Sequence, residues 1–410
     1  MNATGRTLFT NVRVFDGTGG ARFDGQVLVE DGRIATVSRG SEALSADAHR
    51  IDGGGATLMP GMVECHAHIT YPNAVDRFYP HLYPPAAVET TLMTVHNAQV
   101  LLDHGFTSAY SAGAIKPGIE TKLREEIEAG RISGPRLRTA SMEVYFPGDP
   151  DARPMPQTND ELVAFVRESK DEGVDIIKLF LSGLDNVLEQ DDWEMVLSDE
   201  AVALTAREAT QQGMWLSCHV RPVAGLKQAL RNGFRVLYHV EEVDDEALDL
   251  MEQRKNEIFV GPTIGGIALR AEMANGETRE NAKRRLVAYK ETIDRIRSRG
   301  VRVVPFGDYG FPGRPHGHNA RDLGYFVRYL GFTPAEALAA ATKWGGEMMG
   351  RDRFGLVEPG YVADLLLVDG DPTNDVGVLE DPTRLLTIMQ AGAAHKSVAP
   401  GIRSLADSHR

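Results

Sequence analysis

The stretch VECHAHIT, residues 63–70, places two histidines one residue apart inside an apolar run that is typical of a buried strand. Because strand side chains alternate between faces, His66 and His68 project to the same side, and their immediate neighbours project to the other. A lone histidine at such a position is more often a hydrogen-bonded core residue than a ligand. Two imidazoles on one face predict a pair of metal ligands, provided that further ligands follow along the chain.

Between residues 61 and 350, apolar strand-like runs alternate with stretches of helical pattern. The eight runs are GMVECHAH (61–68), FTSAYSAG (106–113), PRLRTAS (135–141), VDIIKLFL (174–181), MWLSCHV (214–220), FRVLYHV (234–240), EIFVGPT (257–263) and VRVVPFGD (301–308). This alternation predicts an α/β fold with a parallel sheet, and eight units predict a closed (β/α)8 TIM barrel. Active sites of such barrels are built at the carboxyl ends of the strands.

The two ends of the chain have a different, β-rich character. The segments 7–20 and 25–40 alternate apolar and polar residues and contain the dipeptides Asp16-Gly17 and Asp31-Gly32, which are strong hairpin signals. The segment GLVEPGYVADLLLVDGDP (355–372) repeats this pattern. We therefore expect residues 1–58 and 355–410 to form one composite β-sandwich domain beside a catalytic barrel of residues 59–354.

Two helices are predicted with particular clarity. The stretch TPAEALAAATKWGGEMMG (333–350) begins with Thr333 as N-cap, Pro334 at the first helical position and Glu336 completing a capping box, and it ends at Gly350. The segment 86–104 suits an outer helix of the barrel. Its apolar residues at helical spacing are Val88, Leu92, Val95 and Leu102.

Composition narrows the class of protein. The 410 residues are 42% hydrophobic and 25% charged, which is typical of a folded globular protein. A net charge of −14 argues against nucleic acid or an anionic membrane as partner. Only two cysteines occur, which excludes a disulfide framework, and neither a signal peptide nor a membrane span is predicted. We expect a cytoplasmic protein that acts on a small-molecule substrate.

Polar residues mark the carboxyl ends of the predicted strands. They are His66 and His68 on the first run, Lys178 on the fourth, His219 on the fifth, His239 on the sixth and Asp308 on the eighth. Each alone has an ordinary structural explanation, since a lysine can snorkel from a strand end and an aspartate can cap a loop. Together, at ends that a barrel brings to one face, they predict metal binding.

With these residues the sequence resembles the amidohydrolase superfamily over nearly the whole chain, from LMPGMVECHAH (58–68) to the 355–372 segment. Within it, the stretch HGHNARDLGYFVRYLGFTPAEALAAAT (316–342) is similar to the imidazolonepropionase-like and prolidase-like branch. The resemblance implies that one divalent metal ion is held by His66, His68 and Asp308, and a second by His219 and His239. It also implies that Lys178 bridges the two ions as a carbamate formed with CO2. An unmodified ammonium could not do so because it has no lone pair.

Such a centre implies hydrolysis. Two cations about 3.5–4 Å apart share a water, lower its pKa so that a metal-bridging hydroxide is available, and polarise a carbonyl. Asp308 would act as general base and then pass the proton to the departing nitrogen as general acid. Zinc suits these ligands best, although manganese, iron or cobalt could occupy them. The expected substrate contains an amide, carbamate, urea or dipeptide-like C–N bond.

The sequence departs from the superfamily pattern in ways that concern the substrate. Glu64 stands where relatives commonly have aspartate, and Tyr238 stands where they tend to have glutamate. Candidate substrate contacts are Tyr83, Tyr145, Arg221 and His316, with Arg314 as a further cation for a substrate carboxylate. Aromatic residues in the loops 71–85 and 142–158 could wall a pocket for a bulky aromatic group, although packing of the two loops would explain them equally well.

Other readings stay open. A mononuclear deaminase or cyclic-amidine hydrolase of the same superfamily would need no bridging lysine, so Lys178 argues against it. A lactonase or decarboxylase could use the same metal site on an ester or a carboxylate. A scaffold that has lost its metals would be expected to lack part of the six-residue ligand set. The resemblance also implies a homo-oligomer.

Overall fold

The computed structural model describes residues 5–40, 44, 47–72, 87–143, 156, 158–183, 195–311 and 313–397. The strands of the chain ends are β1 (Thr7–Val14), β2 (Phe23–Glu30), β3 (Arg33–Arg39), β4 (His49–Asp52), β5 (Thr57–Pro60), β14 (Leu365–Val368), β15 (Leu385–Gln390) and β16 (Ala393–Ser397). The strands between them are β6 (Met62–Ala67), β7 (Phe106–Ser111), β8 (Arg136–Arg138), β9 (Ile176–Phe180), β10 (Trp215–His219), β11 (Val236–Tyr238), β12 (Phe259–Gly261) and β13 (Arg302–Val303).

The α-helices are α1 (Ala87–Asp103), α2 (Ile119–Glu128), α3 (Asn159–Asp171), α4 (Asp199–Gln211), α5 (Val223–Arg231), α6 (Asp245–Gln253), α7 (Gly265–Met273), α8 (Gly276–Ser298), α9 (Arg321–Leu330), α10 (Pro334–Ala339) and α11 (Gly345–Met349). Short 3₁₀ segments cover Val376–Glu380 and Pro382–Arg384, and a π-helical segment covers Ala340–Trp344. No helix in the described ranges is long and apolar enough to cross a membrane.

The two ends of the chain meet in one sheet. Its strand order is β16-β15-β14-β5-β1-β2-β3, with β4 paired to β1. The junction is the antiparallel pair of β14 with β5, in which Leu366 lies opposite Met59. In the tight turn between β2 and β3, Asp31 and Gly32 have φ values of 49° and 78°, as a two-residue hairpin loop requires. The sandwich arrangement and the domain boundaries at 58 and 355 stay predictions.

The middle of the chain has the predicted α/β alternation, and each of the eight runs contains a parallel strand. Strands β6-β7-β8 form one sheet and β9 to β13 form another in chain order, and a parallel bridge between Ala140 and Ile176 links the two. Among the described residues no backbone pairing joins β13 to β6, so the hydrogen-bonded closure of a barrel is not seen. The two ends nevertheless meet through side chains, since the rings of His66 and Phe306 lie 5.7 Å apart.

The predicted helix 333–350 is confirmed at both ends and corrected in the middle. Thr333 and Glu336 form the capping box around Pro334, and Gly350 ends the segment with a φ of 63°. Between them the helix is interrupted by the π-helical turn Ala340–Trp344, which inserts one residue into the regular hydrogen-bond ladder. The sequence carries no proline to mark this interruption, which therefore could not be predicted from it.

Candidate metal centre

Three of the predicted ligands converge at the point where the first and last strands meet. Nε2 of His66 lies 3.6 Å, and Nε2 of His68 3.3 Å, from the same carboxylate oxygen, Oδ1 of Asp308. The side chains of His66 and His68 are 1% and 4% exposed, and that of Asp308 is 13% exposed. One donor atom from each residue lies within 4.8 Å of the others, which is close enough for all three to bind one ion.

His219 and His239 form a second pair beside these ligands. Their ring centroids lie 4.2 Å apart, and the ring of His239 lies 5.3 Å from that of His66. Both side chains are buried. Ring contacts thus connect the four histidines, while a shared ion for His219 and His239 stays a prediction.

The donor atoms of this cluster suit metal ions. Nε2 of His66 and Nδ1 of His239 are buried and have no hydrogen-bond partner among the residues that the structure describes. Other ring nitrogens are held from behind: Nδ1 of His68 lies 3.3 Å from the Gly113 carbonyl and Nε2 of His219 3.2 Å from the Gly183 carbonyl. Such contacts orient a histidine so that its remaining nitrogen faces a metal. A buried nitrogen without a partner is costly, and a bound cation would remove that cost.

The protonation states are also those of ligands. Burial holds the pKa of His66, His219 and His239 well below the ordinary value, so the imidazoles are neutral at neutral pH. Burial opposes ionisation of Asp308, but His66, His68 and Arg314 outweigh it and hold the pKa of this carboxyl well below its usual range. The cluster therefore offers lone pairs and a negative charge rather than protons.

Two of these residues have strained backbones. His239 and Asp308 follow β11 and β13 with φ values of 64° and 57°, in the left-handed region that non-glycine residues rarely adopt. Conformations of this kind cost on the order of 1–3 kcal/mol and cluster at functional sites. At both positions the turn aims the side chain from the strand end towards the histidine cluster.

Lys178 is buried on β9, with its side chain 1% exposed. Nζ donates a hydrogen bond to the Ala112 carbonyl at 2.8 Å and lies 3.4 Å from Oε1 of Glu143. It also lies 4.8 Å from the ring centroid of Tyr238, which in turn packs 4.1 Å from the ring of His66. Lys178 is thus next to the histidine cluster, while its carboxylation and bridging role stay predictions.

The substrate contacts predicted from the sequence are only partly within the described residues. Tyr83 and Tyr145 lie outside them. His316 is buried, with Nε2 3.2 Å from the carbonyl of His68. Arg221 is ion-paired with Glu241, which also accepts two hydrogen bonds from Arg285. These roles in substrate binding therefore remain untested.

The guanidinium of Arg314 lies next to Asp308, the candidate base. Nη1 donates to the Gly307 carbonyl at 3.0 Å and lies 3.6 Å from Oδ2 of Asp308. The two oxygens of Asp308 therefore face different partners, with Oδ1 towards the histidines and Oδ2 towards the guanidinium.

Glu64, the first departure from the superfamily pattern, supports the ligands from behind. Oε1 accepts a hydrogen bond from the backbone N–H of His66 at 3.1 Å, and Oε2 accepts one from Asn319 at 2.6 Å. Burial raises the pKa of this carboxyl to about 7. Sequence reasoning missed Asn319 and also Glu143, which contacts Lys178. Glu143 could have been found by the rule that found Lys178, because it too is polar and follows a predicted strand.

The chain is similar to several known proteins. The model of the Amidohydrolase family matches residues 318–394. The ochratoxinase of Aspergillus niger is 25% identical over 92% of this chain and 83% of its own. The imidazolonepropionase of Cutibacterium acnes is 24% identical over 83% of this chain and 82% of its own. A solved Xaa-Pro dipeptidase, 23% identical, has the same fold, with a TM-score of 0.82 over 96% of this chain and all of its own.

These relatives are similar across most of the chain, and the family match includes the C-terminal part of the resemblance noted in the sequence. The family match and the named relatives agree with the resemblance of the chain to the amidohydrolase superfamily, and the convergence of His66, His68 and Asp308 is compatible with it.

Proposed function

We propose that this protein is a binuclear metal-dependent amidohydrolase that hydrolyses a C–N bond of an amide, carbamate, urea or dipeptide-like substrate. The observation that carries the proposal is the convergence of His66, His68 and Asp308, with a buried, unpartnered Nε2 on His66 in the described part of the chain. Two zinc ions are the metals that this donor set suits best. Relatives named ochratoxinase and imidazolonepropionase support a hydrolytic role.

Divalent ions at such a site lower the pKa of a bound water and polarise a carbonyl. Asp308 is suited to move the proton, because its carboxyl is held ionised and so can accept one at neutral pH. Its Oδ2 lies beside Arg314, so the protonated acid would be short-lived and would return the proton to the departing nitrogen. His316, which is buried against the carbonyl of the predicted ligand His68, would contact the substrate near the reacting atoms.

Lys178 would join the two ions after its amine has captured CO2. The carbamate keeps a single N–H on Nζ, so only one of the two present contacts, with the Ala112 carbonyl and with Glu143, could remain. The Ala112 contact is the shorter at 2.8 Å. We therefore expect the hydrogen bond to Ala112 to persist in the carbamylated form.

The substrate is expected to carry a carboxylate next to the scissile bond. Arg314 suits this role better than Arg221, because the guanidinium of Arg221 is already paired with the buried carboxylate of Glu241. Among the described residues, the polar contacts of Arg314 with Asp308 and Gly307 both use Nη1, so the Nε–Nη2 edge would serve a bidentate partner. In this proposal the substrate carboxylate would lie beside the candidate base.

A mononuclear enzyme, such as a deaminase or cyclic-amidine hydrolase, is the second candidate. It is favoured by one observation: only His66, His68 and Asp308 form a three-ligand group among the described residues. Lactone hydrolysis and decarboxylation would use the same residues on other carbonyl groups. A homo-oligomeric state and a cytoplasmic location stay proposals; the two free, buried cysteines are compatible with a reducing compartment.

The test is a substrate panel with zinc-loaded protein in bicarbonate buffer. Aryl amides, carbamates, ureas, N-acyl amino acids, lactones and cyclic amidines are assayed in parallel, with the His68→Ala variant as control. The proposal predicts turnover of at least one class with an acyclic C–N bond, and none in the variant. Turnover of cyclic amidines or lactones alone would overturn the assignment of an acyclic amide-type substrate in favour of the second candidates.

A further inference from the structure

A buried carboxylate that the proposed chemistry does not use lies between Tyr71 and Lys178. Glu143 follows β8, and its side chain is 2% exposed. Oε2 accepts a hydrogen bond from the hydroxyl of Tyr71, and Oε1 lies 3.4 Å from Nζ of Lys178. Burying a carboxylate is unfavourable unless it is paired and hydrogen-bonded, so both contacts are needed to keep it there.

On one side, Glu143 fixes the aromatic ring that supports His68. The ring of Tyr71 is stacked on that of His68, with centroids 4.3 Å apart and an interplanar angle of 25°. The backbone of Tyr71 is also held, because its N–H donates to the His68 carbonyl and its carbonyl accepts from Asn97, both at 2.9 Å. The hydroxyl end of the side chain is fixed by its hydrogen bond to Glu143.

On the other side, Glu143 lies against the backbone that holds Lys178 and His68. A Cβ at Gly113, which has a φ of 127°, would lie 2.3 Å from Cγ of Glu143. Only glycine therefore leaves room for the carboxylate at this point. The carbonyl of Gly113 faces Nδ1 of His68, and that of its neighbour Ala112 accepts from Nζ of Lys178. Glu143 thus contacts Tyr71 and Lys178 and packs against Gly113.

We propose that Glu143 is a positioning residue that fixes Tyr71 against His68 and, before Lys178 is carbamylated, holds Nζ of Lys178, so that metal affinity depends on it. This inference rests on the proposed metal centre. Groups that orient metal ligands typically contribute 10- to 100-fold to metal affinity. We therefore expect Glu143→Ala to weaken zinc binding about 10-fold or more. Glu143→Gln, which keeps the shape but not the charge, should have a smaller effect, as should Tyr71→Phe, which keeps the ring stack.

The first measurement is competition for zinc between the full-length protein and a chromophoric chelator, in bicarbonate buffer. The matched control is Asp364→Asn, which neutralises another buried carboxylate, 4% exposed and paired with Arg136 at 2.5 Å, far along the chain from the ligands. The inference predicts weaker zinc binding in Glu143→Ala but not in Asp364→Asn. An equal loss of zinc affinity in both variants would mean that loss of any buried carboxylate weakens zinc binding by destabilising the protein, and it would overturn the inference.

The second measurement does not depend on metal. Crystal structures of the metal-free parent and Glu143→Ala proteins should show the Tyr71 ring stacked on His68 in the parent and displaced in the variant. An unchanged stack would overturn the inference even if zinc binding fell. Should the parent bind no zinc, the proposed function fails, and the position of the Tyr71 ring alone decides whether Glu143 fixes it.

Discussion

Nε2 of His68 lies 3.3 Å from Oδ1 of Asp308, although the two residues belong to the first and last of the eight strand–helix units. No backbone hydrogen bond joins β6 to β13 in the described ranges, so side chains make the contact between these two strands. An ion held by both residues would therefore connect the two ends of the eight-strand run. A ligand of this kind binds the folded chain and not the unfolded one, and so it stabilises the fold.

Removal of metal should lower the thermal stability. At a free zinc concentration about a thousandfold above Kd, binding adds about 4 kcal/mol to the free energy of unfolding. We expect the thermal midpoint to fall by several degrees on treatment with a chelator and to recover when zinc is returned. In His68→Ala the chelator should have no further effect. An equal shift in parent and variant would place the responsible metal elsewhere.

Asp308→Asn tests the proton transfer. The amide keeps an oxygen for metal but cannot accept a proton, so kcat should fall by about 10²- to 10⁴-fold, the usual contribution of general acid–base catalysis. Zinc content should be measured in the same sample, because loss of metal would also lower kcat. The exposed residue Asp245 offers a control in Asp245→Asn. Unchanged kcat at full zinc loading would exclude Asp308 as the base.

Arg314→Ala tests the carboxylate-binding role. The variant should raise KM for an N-acyl amino acid by roughly 10- to 100-fold, since a hydrogen bond to a charged group contributes about 1.5–3 kcal/mol. The corresponding N-acyl amino acid amide, which lacks the negative charge, should be affected much less. Equal effects on both substrates would mean that Arg314 acts on Asp308 and does not bind the substrate carboxylate. A larger rise in KM in Arg221→Ala would mean that Arg221 binds this carboxylate instead.

Glu120, buried in the first turn of α2, gives a pH-dependent prediction. Burial raises the pKa of this carboxyl from 4.5 to about 7. The folded state therefore favours the protonated form of Glu120. The contribution of this protonated carboxyl to the free energy of unfolding is fully present below pH 4.5 and is lost as the pH rises towards 7. Above pH 7 the free energy of unfolding no longer changes through this group. Glu120→Gln should match the parent near pH 4.5 and exceed its unfolding free energy by about 3 kcal/mol at pH 8.

Urea unfolding at several pH values measures this difference. Comparison with the parent cancels the titration of other buried groups, such as the histidines, whose contribution has the opposite sign because their pKa is lowered in the folded state. A parent–variant difference that does not change with pH would show that Glu120 is ionised in the folded protein.

The fold class and the ligands at strand ends could be predicted because both follow from local pattern. Strand-like runs separated by helices specify parallel pairing, and parallel strands bring their carboxyl ends to one side. That rule is enough to bring His66, His68 and Asp308 together from opposite ends of the run. The rule does not predict whether β13 pairs with β6, because that pairing depends on the geometry of the whole sheet.

The face of α1 was predicted less well. Helical spacing of Val88, Leu92, Val95 and Leu102 suggested an apolar inner face, yet Val88 and Leu92 are 73% and 68% exposed. The helix instead turns Asn97 inwards, where its side-chain amide donates to the carbonyls of Ile69 and Tyr71 beyond the end of β6. Backbone carbonyls that need partners outweighed apolar burial here, and a hydrophobic pattern contains no information about them.

The most direct test of the central claim is the number of zinc ions per chain in the parent and in Lys178→Ala, measured by elemental analysis after loading in bicarbonate buffer. Lys290→Ala, which removes an exposed lysine, is the control. The bridged binuclear centre predicts two ions per chain in the parent and in the control, and one or none, with activity lost, in Lys178→Ala. One ion per chain in all three proteins would contradict the carbamate bridge and favour the mononuclear enzyme.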